Sequence, residues 1–112
     1  MILARLRMML PPEKLTEAVK ILTRAAERTR LETGCERCHV YRDAQEVNAI
    51  LLEEAWKSDE ELNNYLRSDS FRDVLMVMEM AVQPPEIQFS AIARAEGIER
   101  AKVARSPISL FL

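Results

Sequence analysis

The chain is poor in the residues and segments that mark several protein classes. Only two glycines occur among 112 residues, which argues against a flexible low-complexity chain. No apolar stretch approaches the roughly 18 residues that a membrane-spanning helix needs. The formal net charge of −2 gives no general attraction to nucleic acid or to an anionic membrane. The sequence therefore predicts one ordinary globular domain with neither nucleic acid nor membrane as its partner.

The first seven residues, Met1 to Arg7, alternate apolar and charged side chains and contain no continuous apolar run. Such a segment does not have the pattern of a signal peptide, so a cytoplasmic and reducing environment is expected. In that environment the only two cysteines, Cys35 and Cys38, are expected to be free thiols.

Residues 35–39 read Cys-Glu-Arg-Cys-His, the string that attaches a c-type haem. Alternation after Gly34 predicts a strand here, and strand residues three apart point to opposite faces, roughly 10 Å from one another. Cys35 and Cys38 are then too far apart for one porphyrin edge or a disulfide. Zinc would need four ligands, and the string offers three in diverging directions. No cofactor and no metal are therefore expected.

Hydrophobic periodicity predicts the order β-α-β-β-α-β with the second helix split. Pro11 and Pro12 separate the first strand from the first helix, and Gly34 stands where a glycine would end that helix. Ser58 with Glu61 forms a capping box, and Ser68 begins the second part of the split helix. The expected strands cover residues 2–10, 35–42, 49–56 and 86–93, and the expected helices cover residues 12–33, 58–66 and 68–78.

This order is typical of an α+β, ferredoxin-like domain, an antiparallel four-stranded sheet with helices on one face. The other face has to be covered as well, and a second copy of the chain is the simplest cover. We expect this domain to span residues 1–95. Residues 96–112 are expected to form a tail, a short helix followed by an apolar end at 108–112 that packs on the domain or on the dimer partner.

Motifs spread along the chain resemble those of the antibiotic biosynthesis monooxygenase family. Residues 32–35 with 40–43 resemble its E-x-G-C…Y-R-D hairpin, residues 54–58 resemble its E-x-W-x-S, and residues 68–71 resemble its S-x-x-F. The resemblance covers roughly residues 1–95 and implies a homodimeric α+β barrel in which two sheets pack face to face. It also implies a small pocket between the sheet and the helices of each subunit.

Two positions depart from the family pattern. Tyr65 stands nine residues after Trp56, where the family commonly has histidine, and Cys38 stands where it commonly has an aromatic residue. Some relatives oxidise quinols or polyphenols with O₂ and no cofactor, and they need only a base, donors for developing charge and a dry pocket. Another branch degrades haem, and that activity is disfavoured here because its histidine is replaced by Tyr65.

Six residues are candidates for a site. Glu54 is a candidate base, and Tyr65 can supply a hydroxyl at the position where the family commonly has histidine. Trp56 shares the strand face of Glu54 and is a candidate pocket wall. Arg5 and Arg7 lie on one face of the first strand and could bind a carboxylate or phenolate. His39, the single histidine, is the last candidate.

Each candidate has a structural alternative. Trp56 can be plain core, Tyr65 a half-buried helix residue, and His39 an exposed strand residue. Glu54 can instead pair with Arg5 or Arg7 across the sheet. Two functions therefore remain open from the sequence. One is a cofactor-independent monooxygenase for a phenolic or quinol compound, and the other is a non-catalytic dimer of the same fold that binds a small molecule, such as an aromatic one, or has a structural role.

Overall fold

The computed structural model describes residues 1–106, and the predicted apolar end at 108–112 lies outside the described residues. The order of elements confirms the predicted α+β, ferredoxin-like arrangement with a split second helix. A short 3₁₀ turn at Pro12–Lys14 precedes the first helix. The elements are β1 (Ile2–Met9), α1 (Leu15–Thr29), β2 (Cys35–Arg42), β3 (Ala49–Trp56), α2 (Asp59–Leu66), α3 (Asp69–Glu79), β4 (Glu86–Ala91) and α4 (Ile98–Arg105).

The four strands form one antiparallel sheet in the order β2-β3-β1-β4. β1 lies in the middle, where Ala4 is opposite Glu54 on β3 and Phe89 on β4. Residues two apart on a strand share a face, so this register decides which side chains can meet. None of the described helices is long and apolar enough to cross a membrane.

The core lies between one face of the sheet and helices α1, α2 and α3. Alternate residues of β1 are buried on this face, and the apolar stripe of α1 packs against it, with Leu22 fully buried. The helices do not extend over β4, whose core-side residues Ile87 and Phe89 each keep 46% of their surface exposed. We call the sheet face that points away from the helices the outer face.

The predicted end of the first helix is wrong by four residues. α1 ends at Thr29, and successive tight turns follow, in which Leu31 N donates to Arg28 O and Glu32 N donates to Thr29 O. Gly34 is therefore a turn residue and does not cap the helix, and its positive φ of 86° is a conformation that side-chain-bearing residues rarely adopt. These turns redirect the chain from α1 into β2.

The prediction that Cys35 and Cys38 point to opposite faces is also wrong. Cys35 is opposite Trp56 and Cys38 is opposite Glu54, because a β-bulge between Cys35 and Arg37 inserts one extra residue into β2. The bulge changes the parity of the strand, so both cysteines lie on the core side. Both are free thiols, Cys38 fully buried and Cys35 partly so.

The short helix predicted in the tail is present as α4, and none of its residues is buried. Strand β4 ends at Ala91, two residues before the predicted end. Only residues 86–91 of the last strand have partners on β1, and this pairing fixes where the strand stops.

Candidate functional site

The alternation of β3 brings Glu54 and Trp56 to the core side of the sheet. Their partners across β1, Ala4 and Ile2, are on the same face, and the small side chain of Ala4 leaves room for the carboxylate. Glu54 is 1% exposed and Trp56 is fully buried. Buried carboxylates are rare unless they are paired or hydrogen-bonded, so the surroundings of Glu54 decide its chemistry.

Helix α2 positions Tyr65 over this pair. The helix begins after Ser58, whose hydroxyl accepts a hydrogen bond from Glu61 N at 3.4 Å, as the capping box predicts. Leu62 and Tyr65 are three residues apart and form the buried face of the helix. Tyr65 is 1% exposed, and its hydroxyl points at Glu54.

Three donors from three elements converge on the Glu54 carboxylate. Tyr65 Oη donates to Oε2 at 2.5 Å, Trp56 Nε1 donates to Oε1 at 3.2 Å, and Cys38 Sγ lies 3.9 Å from Oε2. Within residues 1–106, Glu54 forms no ion pair with any basic side chain. The sequence alternative that Glu54 pairs with Arg5 or Arg7 is wrong, because both arginines lie on the outer face.

Aromatic rings enclose this network. The rings of Trp56 and Tyr65 stack with centroids 4.7 Å apart and an interplanar angle of 26°. Phe71 meets Tyr65 edge-on with centroids 5.3 Å apart. Stacked and edge-to-face pairs of this kind stabilise one orientation of each ring. The hydroxyl of Tyr65 is therefore held in place by its ring as well as by Glu54.

Burial dominates the electrostatics of the network. It raises the pKa of Glu54, and the hydrogen bonds from Tyr65, Trp56 and Cys38 oppose that rise. Burial, followed by the charge of Glu54, raises the pKa of Tyr65 and that of Cys38. Tyr65 and Cys38 are therefore protonated at neutral pH. Glu54 is the group whose protonation state can change.

An open cavity of about 240 Å³ adjoins Tyr65 and is lined by polar residues. Trp56 and Glu54 do not line it. Tyr65 is thus the member of the buried network that also contacts the cavity. The lining residues are Glu32, Thr33, Glu61, Asn64 and Tyr65.

Gly34 allows one wall of this cavity to form. A Cβ atom added at Gly34 would lie 2.0 Å from Oε2 of Glu61, closer than any real contact. The Glu61 side chain therefore packs directly on the glycine backbone. The carbonyl of Gly34 accepts a hydrogen bond from Lys57 N at 2.9 Å, which joins this turn to the end of β3.

Glu32 also lines the cavity. It lies in the motif at residues 32–35, but it is not among the six candidates from the sequence. Its Oε2 atom is buried and has no hydrogen-bond partner among residues 1–106. Burial raises the pKa of Glu32, and a hydrogen bond from the Ser68 side chain opposes the rise. The one sequence feature that could have identified Glu32 is its position two residues before Gly34, in the turn that shapes the cavity.

The remaining predicted site residues lie elsewhere, on the outer face. Arg5 forms an ion pair with Glu53 at 3.4 Å, and Arg7 forms one with Asp43 at 3.4 Å. Both arginines line two outer-face cavities of about 390 and 170 Å³. The structure thus divides the six candidates into an inner group of Glu54, Trp56 and Tyr65 and an outer group.

His39 belongs to the outer group and is exposed, as one sequence alternative predicted. Its partner across the sheet is Glu53, its Nδ1 lies 3.3 Å from Nη2 of Arg30, and its ring meets Tyr41 edge-on. Within residues 1–106, no group of three or more His, Cys, Asp or Glu side chains is arranged to hold a metal ion.

The sequence profile of the antibiotic biosynthesis monooxygenase family matches residues 1–76, which is more than half of the chain. This chain belongs to the antibiotic biosynthesis monooxygenase family. The matched segment contains every residue of the inner group and of the cavity beside it. No curated protein matches the sequence.

Solved structures share the fold of this family member. A Deinococcus radiodurans protein named for the same family superposes with a TM-score of 0.79 at 19% identity, covering 88% of this chain and 98% of that one. Rv0793 from Mycobacterium tuberculosis gives 0.77 at 21% identity, covering 86% and 98%. A conserved protein from Methanosarcina mazei gives 0.74 at 26% identity, covering 80% and 89%.

Proposed function

We propose that this family member is a small cofactor-independent monooxygenase that oxidises a phenolic or quinol-type molecule with O₂. The contact that supports this most is the bond from Tyr65 to Glu54, because it joins a buried base to the wall of a cavity. The proposal requires that a phenol in that cavity gain access to the tyrosine oxygen, which is buried and already gives its own hydrogen to the carboxylate. Glu54 and Tyr65 are the proposed catalytic residues, and Trp56 is the proposed support behind them.

The first proposed step is a proton transfer through Tyr65. The hydroxyl proton of the ligand moves to the Tyr65 oxygen as the Tyr65 proton moves to Glu54, so the tyrosine ends the step neutral. Burial favours the protonated carboxylic acid, which makes Glu54 a stronger base than an exposed carboxylate. The phenolate that forms is electron-rich and can transfer an electron to O₂.

The remaining steps balance without another reagent. The resulting radical pair joins a ring carbon to oxygen, and the peroxide takes a proton from Tyr65 as Glu54 returns its proton to the tyrosine. The same ring carbon then loses its C–H proton, the O–O bond breaks, and hydroxide leaves with that proton as water. The sum of these steps is that a phenol and O₂ give a quinone and water. The ring loses four electrons, and each oxygen atom of O₂ gains two of them.

The size of the cavity limits the ligand. Its volume of about 240 Å³ is below the roughly 300–1,000 Å³ that is typical of sites for drug-sized compounds. A ligand of one or two fused rings is therefore the proposed class. The cavity is open on one side, and a second copy of the chain or a closing movement on binding would be needed to exclude water.

We further propose that the protein is a homodimer through the outer faces of two sheets. The outer face carries Leu3 and Leu51, both partly exposed, beside the ion pairs of Arg5 and Arg7. In such a dimer these arginines and His39 would lie between the two sheets. Their proposed role is to bind an anionic group of a ligand there, separately from the proton transfer at Tyr65.

One observation favours the alternative of a binding protein without turnover. All three donors around Glu54 come from the protein, and Glu54 itself does not line the cavity. A closed network of this kind can serve only to hold β2, β3 and α2 together. The proposed enzyme differs from this alternative in requiring that Tyr65 exchange its proton with a bound ligand.

Oxygen consumption separates the two functions. A panel of one- and two-ring phenols and quinols is titrated by Trp56 fluorescence, and O₂ uptake is then measured with each compound that binds. The enzyme proposal predicts uptake that falls at least tenfold in Tyr65→Phe and in Glu54→Gln, whereas Glu36→Gln, at an exposed glutamate of β2, retains it. Binding without uptake by the wild type would instead support the non-catalytic protein.

A further inference from the structure

Strand β4 carries an apolar surface that the helices leave uncovered. Ile87 and Phe89 point to the core side of the sheet, yet each keeps 46% of its surface exposed. Leu6, the partner of Ile87 on β1, is only 1% exposed on the same face. A half-exposed apolar row beside a closed core is a surface on which a further segment can pack.

Helix α3 extends this surface along one flank. Asp73 forms an ion pair with Arg28 of α1, and α1 packs on β2, at the opposite edge of the sheet from β4. Leu75 lies two residues, or about 200°, further round the helix, so it is on the flank that faces away from α1 and towards β4. Leu75 is 44% exposed. We call Leu75, Ile87 and Phe89 the β4 patch.

The chain after β4 projects from the domain, and we call residues 92–112 the arm. No residue of α4 is buried, and Ile98 and Val103 on it are more than half exposed. The longest dimension of the structure is 55 Å, about twice the length of an eight-residue strand at roughly 3.3 Å per residue. The radius of gyration, 17.2 Å, likewise exceeds the roughly 13 Å that is typical of a compact domain of about 100 residues. The arm therefore does not return over the β4 patch of its own domain as far as α4 extends.

The sequence at the end of the arm suits packing on an apolar surface. Residues 107–112 contain four large apolar side chains and no charged one. Before this end, the arm pairs several of its charges internally, since Glu96 forms ion pairs with Arg94 and Arg100. The arm thus combines a polar, projecting stem with an apolar end of six residues, which spans at most about 20 Å beyond Ser106.

The charges on the arm and around the β4 patch are complementary. The last turn of α3 contains Glu79 and no basic residue, and Glu86 begins β4 beside Ile87. The last turn of α4 contains Lys102 and Arg105. Within residues 1–106 none of these four charged side chains forms an ion pair. A helix C-terminus attracts positive charge, so the acidic end of α3 favours the approach of a basic segment.

We infer that each arm packs its apolar end, residues 108–112, on the β4 patch of a second copy of the chain, and that two subunits exchange their arms mutually. The inference rests on the proposed homodimer and is independent of the reaction proposed at Tyr65. A mutual exchange is what the two-fold symmetry of a homodimer gives. Each exchange removes apolar surface from water on the patch and on the arm, which is the driving force for the packing.

Photo-crosslinking of the full chain locates the end of the arm. Phe111 is replaced by p-benzoylphenylalanine, which forms a bond to a nearby C–H group under ultraviolet light. The expected product is a covalent dimer on a denaturing gel, and mass spectrometry should place the link in a peptide that contains Leu75, Ile87 or Phe89. The same photoreactive residue in place of Val47, in the exposed β2–β3 loop, is the control and should give no link to the β4 patch.

Two variants of the patch and one control complete the design. Ile87→Ser and Phe89→Ser are each expected to lower the yield of covalent dimer about threefold to tenfold, because a half-exposed apolar side chain has about half of its burial energy left to gain. Val47→Ser makes a similar change at an exposed aliphatic residue outside the patch and is expected to retain the full yield. Circular dichroism checks that all variants are folded.

Light scattering of the wild type separates the arm exchange from the homodimer. A link between two chains at the β4 patch, weakened in both serine variants, supports the exchange. A dimeric wild type whose arm forms no link, links within its own chain or links elsewhere on the partner overturns the exchange alone, and so does a yield that either variant leaves unchanged. A monomeric wild type overturns both the exchange and the homodimer. None of these results depends on O₂ uptake, which tests the proposed reaction separately.

Discussion

The hydroxyl of Tyr65 donates to Oε2 of Glu54 over 2.5 Å, and both side chains are 1% exposed. The bond links the middle of helix α2 to the core side of strand β3, at a point where the family pattern usually has histidine. A histidine there could carry a charge, whereas Tyr65 remains neutral because burial raises its pKa. In the proposed proton transfer, the proton therefore ends on Glu54.

Replacing Tyr65 by phenylalanine removes this donor and keeps the ring. We expect the free energy of unfolding to fall by about 1–3 kcal/mol, since a buried acceptor loses a hydrogen bond while the stacking on Trp56 remains. Urea denaturation followed by circular dichroism measures the change. Tyr41→Phe, at a tyrosine that is 45% exposed, is the control and should change stability by less than about 0.5 kcal/mol. Equal losses in the two variants would contradict a special role for the Tyr65 hydroxyl.

Glu54 should make stability depend on pH in a definite direction. Its folded-state pKa is raised, so between the ordinary carboxyl pKa and the raised value the folded chain binds more protons than the unfolded chain. Stability from this group is then fully present below the ordinary pKa and is lost as pH rises through the folded pKa.

The comparison that isolates this effect is the wild type against Glu54→Gln, which cannot titrate. As the pH rises above the ordinary carboxyl pKa, the wild type is expected to lose stability relative to the variant, which urea denaturation at each pH measures. Glu32 also has a raised pKa, and its charge contributes to raising the pKa of Glu54, so the difference includes the interaction between these two carboxyl groups. If the difference in stability is constant with pH, or grows in favour of the wild type as the pH rises, the pKa of Glu54 is not raised in the folded protein.

Gly34 and Gly97 are the only glycines, and they form a matched pair. Gly34→Ala introduces a Cβ at a φ of 86° and 2.0 Å from Glu61 Oε2, so a loss of at least about 1–2 kcal/mol is expected. Gly97→Ala has a φ of −101° and its nearest contact at 3.4 Å, and should cost less than about 1 kcal/mol. Thermal denaturation ranks the two variants. Equal losses of thermal stability in Gly34→Ala and Gly97→Ala would contradict this prediction.

The proposed dimer predicts that an outer-face charge will separate the subunits. Leu3→Glu places a carboxylate on the middle strand of that face without entering the core, so it should yield a folded monomer where the wild type is a dimer. Light scattering at several concentrations measures the mass. Val47→Glu, in the exposed β2–β3 loop, is the control and should remain dimeric. A monomeric wild type would remove the proposal altogether.

The two thiols should be unreactive in the folded protein. The pKa of Cys35 is raised to about 11 from an ordinary value of 9.0, which lowers its thiolate fraction about a hundredfold. Burial raises the pKa of Cys38 as well. Mass spectrometry after iodoacetamide treatment at about pH 8 should therefore show slow modification of Cys35 and none of Cys38, with rapid modification of both in guanidinium chloride. Fast native labelling of Cys38 would show that its surroundings are open.

Most of the secondary structure could be predicted because its signals are local. Alternation marked β1, the prolines separated β1 from α1, and the serines at 58 and 68 marked the starts of α2 and α3, where their side chains accept from the backbone. The end of α1 could not be predicted in the same way. The sequence around Gly34 contains no local feature that distinguishes a helix cap from a turn four residues beyond the helix.

The candidate site was predictable in part for the same reason. Residues 54 and 56 share a face on any regular strand, and Tyr65 follows from the spacing of the family motif. The place of Arg5 and Arg7 was settled only when β1 paired with β3, since either face of an isolated strand can be the buried one. Glu32 was missed because the burial of its carboxylate depends on the packing around it, to which residues of α2 and the side chain of Ser68 contribute.

The sequence by itself determined the order of elements and the family, because periodicity, caps and motif spacing are properties of neighbouring residues. Only the tertiary structure decided which side chains meet. A single extra residue in β2 moved Cys35 to the side of Cys38, and the sheet register put Glu54 opposite Ala4 and away from the arginines. These outcomes depend on pairing between distant segments, where one residue of shift exchanges the two faces of a strand.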